Sequence, residues 1–553
     1  MTNKDLANLI FPNIDKDIAY YEEKYKPRNL KEGEKVTRFA PSPTGYMHLG
    51  GLYQAIISFV LVKNSGGVFY LRNEDTDQKR EVQEAVKLVI DTLNHYHIIP
   101  DEYETDKELV GEYGPYFQSK RKEIYHAFIK HLIEIGRAYP CFCEKEELDE
   151  LRKKQEARKY RTGYYDRWAK CRILPLEEQI KRIENNESYV IRFKSNGNFD
   201  RKFKFTDLVK GELELPENDE DFVIMKSNDK LPTYHFAHVV DDYLMGTTHV
   251  VRGEEWLSSL PKHVELFKTF EFKVPKYIHT PLLIKKEGNS VRKISKRKDP
   301  EASMTYYKEK GYPILAVIEA LMTIINSNYE QWHTDSPEKE FTDFTYSPKK
   351  MSASGAFFDL EKLDNISRNI ISKMPAKEVY ENLCTWAEEY DQEFYELITK
   401  YKDYTISIFN IEREQKKPRK DFVYYSDIKN QVWYMYKELF DQKEKEYDFQ
   451  KITDLDEITK ICKTYFEKYY DESDDKDTWF DKMKLLCDEL GYASDMKVYK
   501  ENPDAYKGNV ADVSTVIRVS LTTRSMTPDL YEILKLLGQE ERNRKVELLT
   551  NLK

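Results

Sequence analysis

Cysteine is scarce in this chain, six in 553 residues and mostly isolated, which excludes a disulfide framework and points to a reducing compartment. A long apolar run is missing as well: the longest, "ILAVIEALMTII" at 314–325, is broken by Glu319 and too short to span a bilayer. The first residues hold one short apolar run among acidic neighbours, so no secretory signal is expected and the protein is expected to be cytoplasmic, with no membrane partner. Nor is there an excess of positive charge. With 88 basic against 98 acidic side chains the formal charge is −10, which excludes nucleic-acid binding through an overall positive field and requires any such surface to be a local patch. There are no internal repeats. What is abundant is core-forming material, 40% apolar and 13% aromatic, enough for three to five domains.

After an N-terminal extension over 1–34, with a helix expected from Asp15 to Tyr25, a βαβ pattern begins. Lys35–Ala40 has strand composition, and Leu52, Ile56, Ile57, Val60 and Leu61 follow at helical spacing. A second strand, "GGVFYLR", leads to "NEDTD" at 73–77 and a helix through Val82, Ala85, Val86, Val89 and Leu93. A third helix from Ser119 aligns Ile124, Phe128, Leu132 and Ile135. Between about 140 and 230 short strands such as "SYVIRFK" and "DFVIMKS" indicate an α+β insertion. Parallel-strand signals resume at "THVVRGEEW" and "YIHTPLLI", so the first sheet is interrupted and then completed. From about 370 the patterns are helical; in one late helix Thr527 is the expected cap, Pro528 suits the first turn and Gly538 is the stop.

Two stretches carry chemistry. "RFAPSPTGYMHLGG" is a strand-to-helix turn, the place where open parallel sheets bind ligands and a helix N-terminus receives anions. Gly45, Gly50 and Gly51 permit close backbone approach, and His48 can donate a hydrogen bond to a phosphate. The second stretch, "VRKISKRKD" at 291–299, crowds Arg292, Lys293, Lys296, Arg297 and Lys298 after an apolar strand. A mobile loop there can close on a triphosphate and neutralise charge developing in the transition state. A local basic patch lies at 151–172, nine basic against two acidic residues interleaved with Tyr160, Tyr164, Tyr165 and Trp168, a composition suited to phosphates and unpaired bases.

His48-Leu49-Gly50-Gly51 resembles the first signature of class I aminoacyl-tRNA synthetases, and Lys293-Ile294-Ser295-Lys296-Arg297 the second. With "RNEDTD", "PTYHFAHVVDDYLMG", "VVRGEEW", "FFDLEKL" and "KGNVADVSTVIRVSLTTRSMTPDLYEILKLLG", the chain resembles glutamyl-tRNA synthetases of the bacterial type from about residue 36 to its end. The resemblance implies an α/β Rossmann-like catalytic domain in two halves, 35–113 and 233–285, around an acceptor-end-binding insertion over 114–232. A signature-loop and stem-contact region follows at 286–369, and an all-α anticodon-binding region at 370–553. It implies ATP with Mg²⁺, glutamate and tRNA-Glu as partners, in a chain expected to be monomeric. It implies catalysis by His48, Lys293 and Lys296, and ATP binding by Gly45, His48, Gly50, Gly51, Glu255, Trp256 and Lys296. Glutamate falls to Arg38, Ala40, Ser42, Glu74, Tyr234, His238 and Arg252, with Arg38 on the side-chain carboxylate and Glu74 on the ammonium group.

Gly51 stands where glutaminyl enzymes keep a histidine, so glutamate is favoured over glutamine. Cys141, Cys143 and Cys171 resemble three ligands of a zinc site found in some members, but Ile173 replaces the usual fourth, so zinc is not expected. The rivals are an enzyme that also charges tRNA-Gln, a glutaminyl-tRNA synthetase, a small-molecule adenylyltransferase and a non-catalytic RNA-binding derivative.

Overall fold

The computed structural model describes residues 1–42, 45–76 and 82–551, with backbone alone at 82 and 83. Pro43 and Thr44 of the opening turn, Asp77 and the Val82 side chain lie outside the described residues. The chain divides into two compact units, Met1–Tyr306 with Ile318–Asp359 and Tyr307–Val317 with Leu360–Lys553.

In the first unit, helices α1 (Asn3–Ile10) and α2 (Ile18–Lys24) form the extension. The expected helix over 15–25 starts later because Asp17 acts as its cap, accepting from the Tyr20 N–H at 2.9 Å. Strand β1 (Val36–Phe39), helix α3 (Leu49–Lys63) and β2 (Val68–Leu71) then form the βαβ unit, with β1 and β2 parallel and Arg38 opposite Tyr70. Leu52, Ile56, Ile57, Val60 and Leu61 are all buried. Helices α4 (Val82–His95) and α5 (Lys122–Glu134) follow.

The insertion is α+β, as its short periodicity implies. Its strands β3 (Ala138–Cys141), β4 (Val190–Phe193) and β7 (Val223–Met225) are antiparallel, and β5 (Lys202–Asp207) and β6 (Gly211–Pro216) make a hairpin. After α6 (Tyr234–Leu244), strand β8 (His249–Gly253), α7 (Leu260–Thr269) and β9 (Lys276–Thr280) resume the parallel pattern, with Arg252 opposite His279. The two strand pairs join where the Thr248 N–H donates to the Val36 carbonyl at 3.0 Å and Arg38 Nη1 to the Val251 carbonyl at 3.0 Å. Residues some two hundred positions apart thus share one edge, the carboxyl ends of the strands.

"IHTPLLI" is not one strand. Pro281, lacking an N–H, ends β9 at Thr280, and the chain restarts as β10 (Leu283–Glu287) paired antiparallel with β11 (Ser290–Lys293). In the second unit, which is largely helical, the last helix begins at Leu530 because Asp529, not Thr527, caps it by accepting from the Glu532 N–H at 3.1 Å. The Thr527 hydroxyl is instead engaged by Arg518. The helix stops at Gly538, as expected, where φ 70° and ψ 164° leave the helical region, and a second helix continues to Thr550.

One apolar core runs through Leu6, Phe11 and Tyr21 of the extension, Ile124 and Phe128 of α5, Ile191 and Phe193 of β4, and Phe236 and Phe270 beyond the insertion. Arg28 ties the extension to the sheet. Its guanidinium donates two 2.7 Å bonds to the Glu102 carboxylate and a third, at 2.7 Å, to the Met245 carbonyl. Both side chains of the pair are nearly buried, so Arg28→Met is expected to lower the unfolding free energy in urea by about 3 kcal/mol through the orphaned Glu102, and Arg28→Met with Glu102→Met together to regain most of it. A loss below about 0.5 kcal/mol in the single variant shows that the clamp does not hold the extension.

Candidate active site

The first turn is built from α3 outward. His48 is the N-cap of that helix: its Nδ1 accepts from the Gly50 N–H at 3.0 Å, which leaves the proton on Nε2 and directs a donor away from the helix. Burial, helped by Lys296 and Lys293, lowers the His48 pKa to about 4. The ring therefore offers a hydrogen bond rather than a charge. Gly45 has φ 126°, in the left-handed region. A side chain on Gly51 would press on Met47 and Phe39, at 3.3 and 3.5 Å from the position of a Cβ.

The basic loop is only partly free. Arg292 forms a fork on Asp299 at 2.7 and 2.8 Å, Lys285 is 3.2 Å from the same carboxylate and also pairs with Glu301, and the Ser295 N–H donates to Asp299 at 2.8 Å. The buried Ile294 side chain pins the turn from below. Of the two lysines of the signature, Lys293 lies exposed at the end of β11, whereas Lys296 Nζ donates to the Tyr46 carbonyl at 3.0 Å and so reaches across to the first turn.

The polar pocket beside this turn centres on Asp242 of α6. The Asp242 carboxylate is fully buried and accepts from Arg38 Nε at 3.1 Å and Arg72 Nη1 at 2.6 Å. Burial alone would raise its pKa; Arg38, Arg72 and His238 together outweigh that and hold it well below the usual carboxylate range. Arg38, in turn, keeps an edge of its guanidinium for a ligand, since only Nε and Nη1 are engaged among the described residues. Arg72 also donates to Glu74 at 3.0 Å. Burial raises the Glu74 carboxyl against the pull of Arg72 and Arg38, so a second cation, such as an ammonium group, would stabilise it.

The Glu74 N–H donates to the Pro41 carbonyl at 3.0 Å, fastening the loop of Ala40 and Ser42 to the end of β2; Ser42 is exposed. Tyr234 opens α6, its ring 4.3 Å from that of Trp256, and Arg252 Nη1 lies 3.4 Å from its hydroxyl. Arg252 is buried rather than paired with Glu254 or Glu255 on the surface. Glu255 lies back over Gly253, and Trp256 is 37% exposed. His238 is fully buried, with one ring nitrogen 3.0 Å from the Tyr277 hydroxyl and the other 2.7 Å from Asp242, so it faces protein groups on both sides.

The expectation of no zinc needs correcting. Cys141, Cys143 and Cys171 bring their sulfurs within 4.8 Å of one another, a group that could hold a metal ion. The Cys143 and Cys171 sulfurs are 3.6 Å apart, close to the roughly 3.8 Å edge of a tetrahedron with zinc–sulfur bonds of about 2.3 Å. Ile173 is 82% exposed and points elsewhere. The Tyr164 hydroxyl lies beside the thiols, 3.2 Å from Cys143 Sγ and 3.5 Å from Cys141 Sγ, and accepts from the Cys171 N–H at 3.0 Å. The hydrogen bonds among the thiols lower the Cys141 pKa and raise that of Cys143, so without a metal the cluster favours one thiolate, at Cys141. Tyr164 is consequently not available for stacking in the basic patch. Arg161 and Arg172 of that patch pair with Asp219 and Asp221, while Arg167 lies over Tyr160 and Trp168 at 5.2 and 5.4 Å.

Residues 34–365 match the family described as tRNA synthetases class I (E and Q), catalytic domain. Glutamate–tRNA ligase of Clostridium perfringens strain 13 is 50% identical over 542 residues, 98% of this chain and 99% of that protein. The Acetivibrio thermocellus enzyme of the same name is 50% identical over 550 residues, 99% of this chain and all of that one. A crystal structure of a glutamate tRNA ligase from Elizabethkingia meningosepticum in complex with its amino acid superposes with a TM-score of 0.73 at 25% identity, covering 94% of this chain and 99% of that one. The chain belongs to the glutamate–tRNA ligase family. It has the class I synthetase catalytic fold, followed by a helical C-terminal region.

For a glutamate–tRNA ligase, the sequence reading left several residues of this pocket unassigned: Asp242, Arg72, His263, His279 and Asp207. Arg72 and Asp242 fall inside "RNEDTD" and "PTYHFAHVVDDYLMG" without a role of their own, and no motif marks His263, His279 or Asp207. The only signal was polar residues inside apolar strands and helices, Arg252 and His279 at adjacent strand positions among them. No helix among the described residues is long and apolar enough to cross a membrane. Because burial and two lysines keep His48 neutral, an NMR titration of the ligand-free protein should give this imidazole a midpoint near 4. A midpoint above about 6, close to a free histidine, would mean the ring is solvated and the cap open.

Proposed function

We propose that this protein joins glutamate to tRNA-Glu in an ATP-dependent, two-step reaction, and the observation that carries the specificity is a charge balance. Four buried arginines, Arg38, Arg72, Arg121 and Arg252, face three carboxylates, Asp241, Asp242 and Glu74, leaving a net charge of about +1 in this network, with Asp207 set apart behind His279. Glutamate, with two carboxylates and one ammonium group, brings the balancing −1; glutamine is neutral and leaves the excess buried. Arg38 takes the side-chain carboxylate, Arg252 and Tyr234 the α-carboxylate, and Glu74 the ammonium group, while Ala40 and Ser42 line the loop between them.

In the first step a carboxylate oxygen of glutamate attacks the α-phosphorus of ATP. The new O–P bond forms as the bond to the β-phosphate oxygen breaks, and pyrophosphate leaves with Mg²⁺. In the second, the terminal ribose hydroxyl of the tRNA attacks the activated carbonyl and AMP departs. No side chain need be a nucleophile. Catalysis is positioning together with stabilisation of charge: the neutral His48 donates through Nε2, Lys296 and Lys293 supply cations, and the N-terminus of α3 points its N–H groups at the phosphates. Gly45, Gly50 and Gly51 leave room for the nucleotide, and Glu255 with Trp256 lies beside its adenosine.

The insertion over 114–232 receives the acceptor end, the 286–369 region the stem, and the helical region from 370 the anticodon. The last assignment is supported by a cavity of about 270 Å³ in the helical unit lined by Arg413, Arg419 and Arg524, beside a groove carrying Lys373, Lys416, Lys417 and Lys420; clustered basic groups suit phosphates. Cys141, Cys143 and Cys171, with the Tyr164 hydroxyl beside them, would hold one zinc, which would tie the end of β3 to the 170–173 turn.

Lys296→Ala is expected to slow glutamate-dependent ATP–pyrophosphate exchange, measured with tRNA-Glu present, by two or more orders of magnitude, with little change in glutamate KM. Near-normal exchange would remove the loop from the mechanism. Exchange that proceeds equally well with glutamine would overturn the charge balance. Metal analysis of protein purified without added zinc should find about one zinc per chain, and Cys143→Ser well under one; a metal-free wild-type protein would leave the three thiols as packing.

A further inference from the structure

Arg252 differs from Arg38 and Arg72 in its partners. No carboxylate lies within 4.0 Å of it among the described residues, although it is buried. Its nitrogens are held by neutral acceptors: Nε donates to His279 Nε2 at 2.9 Å, Nη1 to His263 Nδ1 at 3.0 Å and Nη2 to the Trp256 carbonyl at 3.3 Å. Each imidazole can accept only in one tautomer. His279 meets that condition because its Nδ1–H donates to Asp207 at 2.7 Å, and His263 because its Nε2–H faces His235 Nδ1 at 3.1 Å. Both rings are fully buried, and burial lowers the pKa of each, which keeps the lone pairs free. Asp207 ends β5 in the insertion, where its other oxygen accepts from the Val209 and Lys210 N–H groups at 2.9 and 2.8 Å and closes the hairpin turn.

We propose that Asp207, His279 and His263 are positioning residues that hold Arg252 as an uncompensated cation for the α-carboxylate of the amino acid, and that they tie this group to the β5–β6 hairpin. A carboxylate set directly on Arg252 would fix it equally well but cancel its charge before the substrate arrived. Placing the imidazole between them fixes the geometry and keeps the charge. The hairpin belongs to the segment proposed to receive the tRNA acceptor end, so the orientation of Arg252 depends on the insertion being in place.

This rests on the reading of Arg252 as a ligand of glutamate, and the experiment separates the two. In aminoacylation assays with saturating tRNA-Glu, Asp207→Asn and His279→Leu should each raise glutamate KM at least about tenfold while ATP KM stays within about twofold, with kcat less affected, the pattern of lost ground-state binding. His279→Gln, whose amide can accept from Arg252 and donate to Asp207, should recover most of the loss. Nitrogen-15 NMR of wild-type His279 should show the proton on Nδ1, and Asp207→Asn should shift it toward Nε2. The proposal is overturned if Asp207→Asn leaves glutamate KM within about twofold of wild type while Arg252→Lys raises it tenfold, or if the His279 proton sits on Nε2 in the wild type. If Arg252→Lys itself leaves glutamate KM unchanged, the reading of Arg252 falls, and the proposal with it.

Discussion

Two buried arginines converge on the Asp242 carboxylate, and the polar pocket is organised around that junction. Removing a guanidinium from water costs several kcal/mol after relaxation, and Arg38 and Arg72 are at most 4% exposed. Asp242 offsets part of that cost through contacts at 3.1 and 2.6 Å. It cannot offset all of it. The remaining demand for negative charge is directional, because Asp242 occupies Arg38 Nε and leaves the opposite edge of the fork. Arg72 meets Glu74 and Asp241 at 3.0 and 4.0 Å, so the unmet nitrogen among the described contacts is Arg38 Nη2, and an anion is favoured there.

The motifs were legible because they perform chemistry on a ligand, and such chemistry restricts residue type and spacing. His48-Leu49-Gly50-Gly51 and Lys293-Ile294-Ser295-Lys296-Arg297 stood out for that reason, and the interrupted sheet was visible in two separated sets of strand signals. The supporting groups were not. Asp242 lies in a helix whose amphipathic pattern explains it as a polar position, and His279 lies in an apolar strand where a histidine reads as core. The thiol site was misjudged for a related reason. The resemblance put a fourth ligand at position 173, and Ile173 decided against a metal there, yet the three thiols still converge, with the Tyr164 hydroxyl, from seven residues before Cys171, beside them. Helix ends failed locally: Thr527 and Asp529 are both good caps, and the bond from Arg518 to Thr527 decides between them.

The basic loop shows how a run of like charge becomes specific. Read as composition, residues 285–298 form a diffuse positive cloud. In the structure Asp299 gathers Arg292, Lys285 and the Ser295 N–H, and burial of Ile294 fixes the turn between them. Two of the seven basic side chains, Lys285 and Arg292, hold the loop. The other five include Lys293 and Lys296, and Lys296 is already turned toward the first signature at the Tyr46 carbonyl. A cation aimed before the reaction begins need not reorganise during it, which is where electrostatic catalysis gains most of its effect.

His48 completes this division of labour from the opposite direction. A charged imidazole between Lys293 and Lys296 would repel both and raise the cost of an already positive site. The cap bond to the Gly50 N–H removes that alternative by occupying Nδ1 as an acceptor, and burial does the rest. The same device recurs at Arg252, where His263 and His279 accept and carry no charge of their own. Across the site, positive charge is concentrated on arginine and lysine, negative charge on Asp242 and Glu74, and histidine serves as a neutral, orientable connector. Under the proposed function, that division gives each anion of the two substrates its own cations, and the groups between them transmit geometry without adding to the charge.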